Sequence, residues 1–180
     1  MATLARPADL AILLGGCSEE DEKLLLALQR ASDAFAAAVD WPVLESQLEH
    51  LVYGDGGKFL RLPARPVSTA EAWIGGSDLA DPVEGMLLDG RLGLLRRASG
   101  WPDGVPVLVR YTAGWAEDEV PGAIQDVVLE RAAHLHEALG AVKQESTLGM
   151  SVTYTDASLG VSQRWSDVVD RYMVGAGDWS

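Results

Sequence analysis

Basic side chains are scarce in this sequence: 14 lysines and arginines face 27 aspartates and glutamates, a net charge of −13 at pH 7. Affinity for nucleic acid comes largely from basic groups that displace counterions from phosphates, so holding DNA is excluded as the chain's main work. Cysteine is almost absent. Cys17 stands alone, which rules out an internal disulfide. No apolar run approaches the roughly 20 residues of a membrane-spanning helix. Leu10 to Leu14 is too short for a secretory core, so a cytoplasmic origin without a membrane partner is expected.

Catalytic patterns are missing as well. His134 and His136 lie two residues apart, roughly 200° around a helix, so they cannot share one metal ion while the helix persists. No Gly-x-Ser-x-Gly turn occurs to present a nucleophilic serine. Carboxylates are so numerous that proximity in sequence marks none of them as an acid or base. The chain is therefore expected to be no enzyme and to need no cofactor and no metal.

What is present is a soluble, core-forming composition, 48% hydrophobic over 180 residues, enough for one domain. The charge is uneven: residues 1–50 carry three basic against nine acidic groups, while residues 51–100 carry six of each. The clearest stretch runs from Val105 to Leu139. Val107, Val109 and Tyr111 alternate with Leu108, Arg110 and Thr112 as in a strand with two unlike faces. Gly114 stops that strand. Glu117, Asp118 and Glu119 precede Pro121, and Ile124, Val127, Val128, Ala132, Leu135 and Leu139 then recur at helical spacing.

Ahead of this junction the sequence predicts a short helix from Arg6 to Leu14, closed by Gly15-Gly16. A longer helix follows, with Ser18 as its cap and Glu19, Glu20, Asp21 and Glu22 in its first turn. Its stripe is Leu24, Leu28, Ala31, Phe35 and Val39, and Trp41-Pro42 ends it. Leu44–Tyr53 and Lys58–Leu62 flank Gly54-Asp55-Gly56-Gly57 and predict a β-hairpin. A phosphate-cradling loop requires a longer glycine spacing, Ser or Thr after the lysine and a following helix, none of which is present. Val67–Ile74 is a further strand, and Met86–Leu88 with Leu92–Arg97 form a second hairpin across Asp89-Gly90. Beyond Gly140 the pattern weakens, until Ser162 opens a last amphipathic turn or two carrying Trp165, Val168, Val169 and Tyr172. Little apolar area stands between Gly140 and Tyr154 to offset the entropy of ordering, so this stretch is expected to order on docking. The six tryptophans fall mostly at element ends, where core and interface roles both fit.

Several of these stretches together resemble the head-tail connector (head-completion, or adaptor) proteins of long-tailed bacteriophages. They are the leading helix pair with Ala31-Ser32, and Gly54-Asp55-Gly56-Gly57 followed by Leu60 to Pro66. Next come Val109 to Gly114 with Val120-Pro121 and its helix, then Val142 to Tyr154 and the Asp170-Arg171-Tyr172 ending. Leu148-Gly149-Met150 departs from the Gly-acidic-aromatic run of the family before Ser151. The resemblance implies a mainly helical α+β fold, an antiparallel bundle of about four helices with a small antiparallel β insertion at about 43–112. One connector domain would then comprise N-terminal helices (1–42), the insertion, a long helix (119–140) and a C-terminal docking segment (141–180).

The resemblance further implies a structural virion protein of the neck, assembled in the host cytoplasm. It would form a homo-oligomeric ring, commonly of twelve, below the portal protein. That ring extends the DNA channel and seats the next neck or tail-terminator protein. Genomic DNA passes through unbound. Interface candidates are Val142, Thr147, Leu148, Met150, Val152 and Tyr154, with Trp101, Trp115, Trp165 and Tyr172 as apolar groups spare to the core. Glu19, Glu20, Asp126, Glu130 and Glu137 are candidates to face the channel, where an acidic wall repels DNA. The competing expectation is a monomeric β-rich adaptor that captures a peptide or glycan in one deep pocket.

Overall fold

Helix α2 (Glu22–Val39) forms because apolar side chains recur every third or fourth residue, and the whole stripe is used. Leu24, Leu28, Ala31, Phe35 and Val39 are each at most 1% exposed. Its cap is Asp21, whose carboxylate accepts the Lys23 N–H at 2.8 Å. Ser18, the expected cap, accepts the Glu20 N–H in the preceding turn. A charged carboxylate suits the positive end of the helix dipole better than a hydroxyl, and it starts the helix three residues later. Helix α1 (Pro7–Leu13) begins on proline and is closed by Gly16, whose N–H reaches the Ala11 carbonyl at 2.9 Å.

The computed structural model describes residues 3–78, 81–144 (backbone alone at 140–144) and 162–173. The chain divides into two compact units, Met1–Asp40 with Glu119–Ser180, and Trp41–Asp118. In the first, helix α3 (Gly122–Gln144) starts where the Pro121 carbonyl accepts the Ile124 and Gln125 N–H groups, and it continues past the expected end at Gly140. Ile124, Val127, Val128 and Ala132 are buried as α3 packs on α2. Helix α4 (Gln163–Tyr172), capped by Ser162 as its sequence predicts, lays Trp165, Val168 and Val169 on both.

The second unit is all β. Its strands are β1 (Ser46–Tyr53), β2 (Phe59–Arg61), β3 (Val67–Ile74), β4 (Leu87–Asp89), β5 (Leu94–Arg96) and β6 (Pro106–Ala113). They form two three-stranded sheets, ordered β1-β6-β3 and β2-β5-β4, with every pairing antiparallel. Leu60, Leu95, Trp101, Val107, Val109 and Tyr111 are buried between them, and Trp101 Nε1 donates to the Leu95 carbonyl at 3.1 Å. Two glycines permit close approaches: a Cβ at Gly54 would stand 2.2 Å from the Pro102 oxygen, and one at Gly90 would stand 2.1 Å from that of Val67. Chain entry and exit are sealed together. Trp115 N–H donates to the Val43 carbonyl, Glu45 N–H donates to that of Trp115, and the Trp41 and Trp115 rings lie 5.4 Å apart.

This architecture corrects two expectations. The fold is α+β with two sheets, not a mainly helical bundle with a small insertion: three strands run for eight residues, and the β unit has a core of its own. The hairpin expected between Leu44–Tyr53 and Lys58–Leu62 does not form. β1 pairs with β6 and β2 with β5. Asp55 Oδ1 accepts the Gly57 N–H in a local turn, and the Gly57 carbonyl then accepts the Trp101 N–H. That second bond directs the chain away from β1. The hairpin across Asp89-Gly90 is present as β4 and β5, with Asp89 Oδ1 accepting the Leu92 N–H at 3.2 Å.

Candidate functional site

The outward face of the β1-β6-β3 sheet is the most organised polar surface among the described residues. Strand register sets Arg110 between Glu49 and Glu71. Arg110 Nε donates to Glu49 at 2.5 Å, Nη2 donates to Asp78 at 2.8 Å, and the guanidinium lies 5.2 Å from the Trp73 ring centroid. These bonds, Glu49 first, raise the Arg110 pKa and hold it charged. Two carboxylates and a ring already occupy that cation. Glu71 is exposed in the same row and Glu45 is exposed just before β1, so the face as a whole is acidic. A cavity of about 680 Å³ runs over it, lined by Gln47, Glu49, Thr69, Glu71, Arg110 and Thr112 among others. It is polar and broad.

On the opposite side of the same sheet, Tyr111 is 3% exposed and its hydroxyl lies 2.9 Å from His50 Nδ1. Burial raises the Tyr111 pKa, against a smaller opposing effect of a hydrogen bond with the Ala64 backbone. Burial lowers that of His50. Both shifts favour the uncharged phenol and the uncharged imidazole, and the His50 tautomer sets which of the two donates. Among the described residues, no three His, Cys, Asp or Glu side chains gather as a metal would require, and no helix is long and apolar enough to cross a membrane.

The candidate residues are scattered. Trp101 and Trp165 are 1% and 6% exposed, so the expectation that they are spare to the core fails for both. Trp101 lies in the connection between β5 and β6 and Trp165 in the first turn of α4, and both are taken up by the core. Trp115 and Tyr172 are half-buried. Glu19 and Glu20 are exposed in the turn before α2, Glu137 is exposed on α3 and Glu130 is half-buried there. Asp126 is also on α3, but Arg164 of α4 holds it in an ion pair at 2.6 Å. Val142 lies in the backbone of α3, and Thr147, Leu148, Met150, Val152 and Tyr154 fall outside the described residues. Attention to tryptophan missed exposed apolar groups on the helices, among them Ile12 and Leu13 on α1 and Leu26 on α2, and on the strands Leu51 and Tyr53 of β1, Phe59 of β2 and Leu87 of β4. The signal for the strand residues was present in the alternation of these strands.

No protein-family model matches the sequence, and no curated protein matches it. Solved structures share the fold. A chain of the structure titled "Neck of empty GTA particle computed with C6 symmetry" superposes with a TM-score of 0.60 at 19% identity, over 94% of this chain and 88% of that one. One from "Virion of native gene transfer agent (GTA) particle" gives 0.59 at 19% identity, over 94% and 89%. One from "Neck of native GTA particle computed with C12 symmetry" gives 0.57 at 18%, over 95% and 90%. This chain therefore has the fold found in the necks of gene transfer agent particles.

Proposed function

We propose that this chain is a structural neck protein of a tailed phage, prophage or phage-like particle, and that it acts as a ring rather than as an enzyme. The observation that carries the reading is the fold likeness over both units to chains of particle necks, two of them computed with six-fold and twelve-fold symmetry. In this reading the ring sits below the portal, completes the filled head, extends the DNA channel and provides the platform for the tail. The segment from Val142 onward reaches the portal.

The charge supports the same role. A wall of net negative charge lets DNA slide past, because repulsion and the shortage of basic groups deny phosphates a place to bind. Glu19, Glu20 and Glu137 suit that wall because each is exposed. Asp126 suits it less, since its charge is balanced by Arg164.

The test is genetic and visual. Deleting the gene in a particle-producing host is expected to leave DNA-filled heads without tails, and supplying the chain in trans is expected to restore tailed particles. Normal tailed particles in the deletion strain would refute the role.

A further inference from the structure

The two sheets of the β unit turn chemically different faces outward. On β2-β5-β4, strand register puts Phe59, Arg96 and Leu87 in one row, and Arg61 projects from the same face two residues along β2. Phe59 is 55% exposed and Leu87 is 62% exposed, with Leu92 and Arg91 also exposed in the adjoining turn. Among the described residues Asp89 is the acidic one in these rows and Arg91 and Arg96 outnumber it, so positive charge prevails there in a chain that is otherwise strongly acidic. On β1-β6-β3 the outward row is Glu49, Arg110 and Glu71 with Asp78 beside it. Leu51 and Tyr53, 50% and 63% exposed, continue the face along β1.

Each face thus pairs an exposed apolar strip with charge, and the charges are of opposite sign. Aromatic residues and arginine are the types enriched where proteins meet. Building on the ring reading above, we propose that successive copies of this chain meet sheet to sheet. The Phe59, Leu87, Arg91 and Arg96 face of one copy docks on the Leu51, Tyr53, Glu49 and Glu71 face of the next.

Charge selects this arrangement over its competitors. Two copies joined through the same face would bring arginines against arginines, or carboxylates against carboxylates. Joining unlike faces brings arginine to carboxylate and apolar strip to apolar strip. A contact between two different faces is heterologous, and it closes a ring when the rotation between successive copies divides a full turn. The contact also works against the overall repulsion between chains of net charge −13. Salt therefore has two opposed effects, relieving the general repulsion while weakening the local attraction.

Disulfide trapping reads the contact directly, including a weak one. In a Cys17→Ser background, one protein carries Gln47→Cys on the acidic face and a second carries Leu87→Cys on the basic one. On mild oxidation of their mixture, the mixed disulfide is expected to form about tenfold faster than either self-disulfide, because docking raises the effective concentration of only that pair. Adding Arg91→Glu and Arg96→Glu to the Leu87→Cys chain is expected to bring the rate down to the self-disulfide level. Unchanged circular dichroism and melting would show that the chain remains folded. Equal rates for all three disulfides, a fastest self-disulfide, or a rate indifferent to the charge reversal would overturn the proposal. The ring reading is scored separately: tailless heads in the deletion strain with no preferred mixed disulfide would leave the neck role standing and remove this contact.

Discussion

The guanidinium of Arg131 lies over the ring of Trp165, 5.1 Å from its centroid, while Phe35 meets the same ring edge-on at 5.4 Å. Helices α2 and α3 thus hold α4 through one side chain. Trp165→Ala removes the aromatic contact and the cation–π contact together and leaves a large void, so stability in urea should fall by about 3–5 kcal/mol. Trp165→Phe should lose less. A loss below about 1 kcal/mol for the alanine variant would show that α4 is held in some other way.

Ser32 explains how the start of the chain is pinned. Its hydroxyl is buried, donates to the Leu28 carbonyl at 2.9 Å and accepts the Leu4 N–H at 3.1 Å. Ser32→Ala leaves that N–H without its partner, and the expected cost is about 1–3 kcal/mol. Amide exchange at Leu4 should accelerate in the same variant. Exchange as slow as in the parent would mean that Leu4 is protected by something other than this bond.

The His50–Tyr111 pair gives the β unit a pH dependence of known sign. Burial lowers the folded-state pKa of His50 below its ordinary value, so the unfolded chain takes up a proton before the folded one does. The contribution is complete above the unfolded value of about 6.5 and declines as pH falls below it, at no more than about 1.4 kcal/mol per pH unit. Denaturation midpoints measured between about pH 7.5 and 5.5 should fall, and His50→Gln should flatten that part of the curve. An unchanged slope in the variant would assign the dependence to other groups.

The helices were legible in the sequence because their signal is local: the stripe from Leu24 to Val39 and its counterpart from Ile124 to Ala132 are both buried as spaced. Strand existence was legible for the same reason. Partner choice was not. The Gly54 to Gly57 turn carries the residues of a hairpin, yet β1 pairs with β6, where Glu49 stands opposite Arg110, far along the chain. The Asp89 turn kept its promise because the Asp89 to Leu92 bond closes locally. Tryptophan at an element end proved an ambiguous sign, since Trp101 fills the center of the β unit. The smaller Phe59 and Leu87, at alternating strand positions, are exposed instead.

The placement of α4 decides how the proposed docking segment must be tested. Removing everything from Val142 onward would also remove Trp165, Val168 and Val169 from the helical unit. Loss of function would then follow from unfolding as readily as from lost docking. Substitutions at Leu148 and Val152 keep Trp165, Val168 and Val169 in the chain. A charged group at either position makes burial in a contact costly by several kcal/mol unless a partner is supplied. The double variant Leu148→Asp, Val152→Asp should therefore keep the circular dichroism and urea midpoint of the parent. It should fail to join purified portal-bearing heads, while Leu148→Met and Val152→Ile should retain attachment. If the folded aspartate variant completes heads and accepts tails as the parent does, portal docking belongs to another part of the chain.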